Sequence, residues 1–74
     1  MNQNLEEMLN HLPSGENFER NVNISEAEKL GIASSGDVKN GKEIYKLLSS
    51  EGVMFTYLRE GNTLKFISKE KLHF

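Results

Sequence analysis

A chain of 74 residues with 36% hydrophobic and 27% charged side chains makes one domain, because a chain this short has no room for a second core. It is more polar than an average globular protein, yet six aromatic residues (four Phe, two Tyr) can anchor a core, which excludes the disordered class. The formal net charge of −2 does not by itself suggest a nucleic-acid binder. With no cysteine, no apolar run approaching ~18 residues and a polar, acidic start at Met1–Glu7, the expectation is a reducing, cytoplasmic setting without membrane span or signal peptide.

Leu5, Met8, Leu9 and Leu12 follow the i, i+3, i+4, i+7 spacing of one helix face. Asn4 and Glu7 fit the start of that helix, and Pro13 with Gly15 end it, so a first helix is expected over 4–12. Phe18, Val22 and Ile24 share the parity of a period-two pattern, broken by Arg20 and weakened by Asn17, Asn21 and Asn23, which suggests a short strand within 18–24.

Ser25 followed by Glu28 reads as a capping box, with Ile24 just outside it. Ala27 and Leu30 face inward, and Gly31 stands where a short second helix, 26–31, would stop, with Ile32 as the hydrophobic anchor beyond it. Ala33-Ser34-Ser35-Gly36 suits a turn. Ser34 or Ser35 can then cap a third helix over 37–50, with Asp37 near its positive end and Val38, Gly41, Tyr45 and Leu48 along one stripe, widened by Ile44 and Leu47. Gly41 costs such a helix about 1 kcal/mol relative to alanine, and Gly52 ends it.

Two strands follow, 53–59 and 63–68, around Gly61-Asn62, a two-residue hairpin signal. This loop pairs Arg59 with Leu64, Tyr57 with Phe66 and Phe55 with Ser68. The face of Val53, Phe55, Tyr57, Leu64 and Phe66 is the expected core side, and Met54, Thr56, Leu58, Lys65 and Ile67 form the other. Residues 69–74 have no assigned role.

Helix, short strand, short helix, turn, longer helix and hairpin is the order of an α+β winged helix-turn-helix, with three helices plus a C-terminal β-hairpin in one domain over 1–74. Ser25-Glu26-Ala27-Glu28-Lys29-Leu30-Gly31-Ile32, Val38, Leu48 with Glu51-Gly52-Val53, and Gly61-Asn62-Thr63 resemble the DNA-binding domain of GntR-type bacterial regulators. In that family a helix ends in a Leu-Gly-Val-like turn, an inward valine opens the recognition helix, and a Glu-Gly-Leu-like ending leads into a wing with a Gly-Thr. Residues 25–66 are covered. The stretch from Ile32 to Gly52 is longer than the family's, Lys39 replaces the arginine after the inward valine, and no effector domain is expected after Phe74. The resemblance implies a small transcriptional regulator of bacterial, phage or plasmid type.

His11 and His73 have no metal-ligand spacing, Glu6-Glu7 and Glu26/Glu28 read as helix N-terminal charges, and no nucleophile elbow or phosphate loop occurs. No enzyme activity and no cofactor or metal are therefore expected. A DNA-binding surface would use Lys39, Asn40, Lys42 and Lys46 of the third helix in the major groove, beside Glu43. Ser34 and Ser35 would hold a phosphate at its start. Arg59, Asn62, Thr63 and Lys65 of the wing would reach the backbone of duplex DNA. Charge supports this weakly. Residues 1–36 carry two positive and six negative side chains, a net of −4, whereas 37–74 carry seven and five, a net of +2. So few cations bind DNA weakly, and a homodimer would double the contacts. The alternative is a protein–protein interaction module, an adaptor or inhibitor, using its acidic surface or an apolar patch of Met54, Leu58 and Ile67.

Overall fold

The computed structural model describes residues 18–72. They form a five-stranded antiparallel sheet with one short helix. The elements are β1 (Val22–Asn23), α1 (Ile24–Leu30), β2 (Ala33–Lys39), β3 (Lys42–Leu48), β4 (Val53–Glu60) and β5 (Thr63–Lys71). Strand order is β1-β5-β4-β3-β2, so β2 to β5 run as a meander and β1 extends the sheet at the outer edge of β5. The chain must then cross from that edge to β2 at the opposite edge, and α1 makes the crossing over one sheet face, where Ala27 joins Val22, Tyr57 and Leu64 in the core.

α1 is capped at both ends. Asn23 is extended (φ −70°, ψ 144°) and its Oδ1 accepts from the Ser25 N–H at 2.9 Å, satisfying one of the free donors of the first turn. Gly31 closes the helix in the left-handed region (φ 89°) with its N–H directed to the Ala27 and Glu28 carbonyls, a conformation that favours glycine. The helix is thus where the Ser25–Ile32 pattern places one, but Asn23 rather than Ser25 is its cap. The expected strand over 18–24 shrinks to Val22–Asn23, because Ile24 already belongs to α1.

The winged helix-turn-helix is not formed. The expected third helix, 37–50, is the β2–β3 hairpin. Its turn is Asn40-Gly41, with φ 53° and 78°. Two successive positive φ values are those of a type I′ turn, whose twist matches the flanking strands and whose preferred sequence is Asn-Gly. Gly36 (φ 86°) adds a second left-handed residue that a helix would not tolerate cheaply. It sits in a bulge where Ser35, Gly36 and Asp37 oppose Ile44 alone, between the pairs Ser34↔Tyr45 and Val38↔Glu43. The stripe of Val38, Gly41, Tyr45 and Leu48 therefore dissolves: Val38 is 64% exposed, and Tyr45 and Leu48 point to opposite faces. The expected first helix, 4–12, lies outside the described residues.

The second hairpin follows its alternation. Arg59 pairs with Leu64 and Tyr57 with Phe66, and Phe55, Tyr57 and Leu64 are buried. Beyond Phe66 the register slips. Thr56 pairs with Ser68, leaving Ile67 as the extra residue of a bulge, so Phe55 faces Lys69 and not Ser68. β5 then runs on to Lys71. Phe18, Val22, Ala27, Ile32, Leu47, Phe55, Tyr57 and Leu64 make the core. Its aromatic rings meet tilted or edge-on, with centroids 6.0 Å apart for Phe18–Phe55 and 5.8 Å for Tyr57–Phe66. Tyr57 is wholly buried and its hydroxyl donates to the Phe18 carbonyl at 2.6 Å, which ties the chain entering β1 to the middle of the sheet.

Candidate functional site

Directly opposed residues of an antiparallel sheet share a face, so the registers sort the paired strand residues. The core face takes Val22, Tyr45, Leu47, Val53, Phe55, Tyr57, Arg59, Leu64 and Phe66, with α1 and Phe18 laid over it. The opposite face is crossed by three rows. One runs Lys39, Lys42, then Glu60 and Thr63, the next pairs Ile44 with Leu58 and Leu58 with Lys65, and the third pairs Ala33 with Lys46, Lys46 with Thr56 and Thr56 with Ser68. Leu48, Met54 and Glu70 close it at the Ser49–Gly52 turn. Among the described residues no helix or strand outside the sheet packs on this face, and Ile44, Leu48, Met54 and Leu58 stay half-buried outside the core.

This open face has a definite character. An apolar floor, Ile44, Leu58, Leu48 and Met54, is framed by Lys39, Lys42, Lys46 and Lys65, all exposed. Lysine stems extend such a floor while their ammonium groups stand in water. Lys42 Nζ donates to Glu60 at 2.9 Å; this hydrogen bond first, and the Lys42 charge second, hold the Glu60 carboxyl below the usual carboxylate range. Lys39 stands directly across from Lys42. Like charges so placed cost a hairpin a few tenths of a kcal/mol, a cost that stability alone does not explain.

The residues singled out for DNA are redistributed by the new fold. Lys39, Lys42, Lys46, Thr63 and Lys65 come together on the open face, but on strands rather than on a helix that could lie in a major groove. Ser34 and Ser35 serve the β2 bulge: Ser34 Oγ accepts from the Gly36 N–H at 3.3 Å, and Ser35 Oγ donates to the Ile44 carbonyl at 3.0 Å and accepts from the Asp37 N–H. They open no helix, so the expected phosphate cradle is not built. Arg59 is on the core face, where Nε donates to the Gly61 carbonyl and Nη1 to the Tyr45 hydroxyl at 3.1 Å, so it and Lys65 point away from each other. Asn40 and Asn62 occupy the two tight turns at one end of the sheet, and the Asn62 carbonyl accepts from the Ile24 N–H at 2.7 Å. Ile44 and Leu48 of the floor were hidden in the helical reading, and the overlooked signal for them is Asn40-Gly41.

Burial pushes the Tyr57 hydroxyl up to about 12, partly opposed by the Arg20 charge, and this follows from its place in the core. Among the described residues no group of His, Cys, Asp and Glu is placed to hold a metal ion, and no helix is long and apolar enough to cross a membrane. Comparison with protein-family models, curated proteins and solved structures finds no match.

Proposed function

We propose that this protein is a small binding module that holds a protein partner on the open face of its sheet, in a reducing intracellular compartment as a chain without cysteine suits. The observation that carries this reading is the juxtaposition of Ile44↔Leu58 and Leu48↔Met54, an apolar floor outside the core, with four lysines around it. The partner that fits is an apolar-striped segment with acidic flanks. Its apolar side chains bury the floor, and its carboxylates meet Lys39, Lys46 and Lys65 and relieve the Lys39–Lys42 opposition. Among the described residues this face carries no aromatic side chain on which a base could stack and no arginine to grip a phosphate in two places, which favours protein over nucleic acid.

The test is an amide NMR titration of the full chain with two probes: a synthetic amphipathic peptide with leucines on one side and glutamates on its flanks, and a mixed-sequence DNA duplex. Peptide-induced shifts over 42–48, 54–58 and 65–68, abolished by Leu58→Asp, support the reading. Shifts with the duplex that follow Lys39, Lys42 and Lys65 and fade steeply with salt, without peptide binding, replace it by a DNA-binding one. A silent face with both probes overturns it.

A further inference from the structure

The tip of the β2–β3 hairpin carries a reactive pair with no part in the core or the apolar floor. Asn40 and Gly41 are both exposed, and of the eight asparagines in the chain Asn40 alone precedes a glycine. We infer that this turn is a self-modification site, at which the Gly41 backbone nitrogen displaces the side-chain amide of Asn40 and part of the product is an isoaspartate that opens the hairpin. The site is independent of whatever the open face binds.

Three observations single out Asn40. Its side chain makes no hydrogen bond among the described residues, whereas Asn21 Oδ1 accepts from the Phe66 N–H at 3.0 Å and Asn23 Oδ1 from the Ser25 N–H at 2.9 Å. The nucleophile is free as well. Pairing of β2 with β3 ends at Lys39↔Lys42, so the Gly41 N–H lies beyond the ladder. By contrast, the residues after Asn23 and Asn62 are held: the Ile24 N–H donates to the Asn62 carbonyl at 2.7 Å, and Thr63 is paired with both Asn23 and Glu60. There is also room. Apart from its chain neighbours, no atom lies within 4 Å of where a Cβ on Gly41 would stand, while Asn21, Asn23 and Asn62 each precede a β-branched residue that crowds ring closure.

The chemistry needs only water. The Gly41 nitrogen loses its proton and bonds to Asn40 Cγ, the Cγ–Nδ2 bond breaks, and the leaving nitrogen takes up the proton and departs as ammonia. Lys39 and Lys42 flank the pair, and their charge favours the deprotonated nitrogen. Water then adds to one of the two carbonyls of the resulting five-membered imide. Cleavage of the Cγ–N bond gives aspartate; cleavage of the bond between the main-chain carbonyl carbon and the Gly41 nitrogen gives isoaspartate, in which the chain runs through Cβ and Cγ. Either product adds a negative charge beside the lysines, but only isoaspartate lengthens the main chain, by one carbon. A type I′ turn fits two residues at positive φ between its flanking strands, so the lengthened loop releases the Lys39↔Lys42 pair.

The full chain, held in mildly alkaline buffer made with heavy-oxygen water, tests this over time. Cleavage after Glu28 and Glu43 releases residues 29–43, in which Asn40 is the sole asparagine. The expected result by mass spectrometry is conversion of this peptide to two acidic products that carry the heavy oxygen, faster at higher pH and ahead of every other asparagine in the chain. An Asn40 that stays an amide while another asparagine converts, or that yields aspartate without isoaspartate, overturns the site. The opening is read separately from the charge. Asn40→Asp supplies the carboxylate on a normal main chain, so its NMR spectrum should keep the cross-strand contacts between Lys39 and Lys42. In the isoaspartate chain those contacts should be lost while contacts between Tyr57 and Phe66 remain; their persistence in both refutes the opened hairpin.

Discussion

Removing one oxygen atom from the core tests how the sheet is joined to the chain that enters it. Tyr57 is wholly buried, and its hydroxyl donates to the Phe18 carbonyl at 2.6 Å across 39 positions of sequence. Tyr57→Phe keeps the ring, its edge-on contact with Phe66 and the packed volume, but leaves the Phe18 carbonyl without this donor. An orphaned buried acceptor costs about 1–3 kcal/mol. The whole domain has a stability on the order of 4–11 kcal/mol for its length, so the loss is a large share. At about 4–8 °C per kcal/mol for a domain of this size, the melting midpoint should fall by roughly 10 °C. Thermal and urea unfolding measure the total, and hydrogen exchange locates it. The Phe66 amide, which donates to Asn21 Oδ1, should exchange faster, since residues 18–21 lose their anchor. A variant as stable as the parent, within about 0.3 kcal/mol, with unchanged Phe66 protection, would show that water replaces the hydroxyl and that the tie is not structural. The same group supplies an alkaline signature. Its folded pKa, about 12 against 10.0, means that the folded state retains the proton. The linked stability is full below 10.0 and lost as pH rises through about 12, and Tyr57→Phe should remove this component.

Three further outcomes are expected. Asn23→Ala, which removes the acceptor for the Ser25 N–H, should cost about 1 kcal/mol in urea unfolding. Gly41→Ala meets no atom within 4 Å, so any loss comes from its positive φ alone, about 1–2 kcal/mol, and asparagine should be tolerated better there. Lys42→Met should raise the titration midpoint of Glu60, followed by carboxyl NMR, because the Lys42 hydrogen bond and charge hold it down; in the parent the linked stability is present above the ordinary carboxylate range and lost as pH falls through the lowered value.

The two hairpins show why one half of the fold was legible and the other was not. In Val53–Lys71 alternation, aromatic and β-branched residues, and Gly61-Asn62 all point to strands, and the expected pairs Arg59↔Leu64 and Tyr57↔Phe66 form. In Ala33–Leu48 two periods compete. Val38, Tyr45 and Leu48 satisfy a helical stripe, while Tyr45 and Leu47 alternate with Ile44, Lys46 and Leu48 as a strand does. Local hydrophobic spacing does not separate these, and the decision falls to backbone chemistry: Gly36 and Asn40-Gly41 adopt positive φ, which breaks a helix and makes a hairpin. The pairing of Val22 with Leu64 and Asn23 with Thr63 spans most of the chain and has no local signal. The bulge at Ile67 has none either. As for the candidate site, Lys39, Lys42, Lys46 and Lys65 were readable as outward-facing residues, but their neighbours were not, because membership of a face depends on register.

Lys39 offers the sharpest separation of stability from binding. Its position opposite Lys42 sets two lysines across from each other at the end of a hairpin, and the Lys42 ammonium is already committed to Glu60 at 2.9 Å. Lys39→Glu turns this opposition into an attraction, so the isolated protein should gain a few tenths of a kcal/mol, seen as a small rise in the urea midpoint with an unchanged slope. The same change removes a cation from the frame of the open face, and the acidic-flanked peptide should bind less tightly, with a smaller salt dependence. A chain that becomes more stable while its face weakens as a binder has spent stability on a charged surface. If Lys39→Glu instead left peptide binding unaltered, or destabilised the hairpin, the lysine pair would be ordinary solvated surface, and the case for a partner on this face would rest on the apolar floor alone, with nothing from Lys39 to favour acidic flanks.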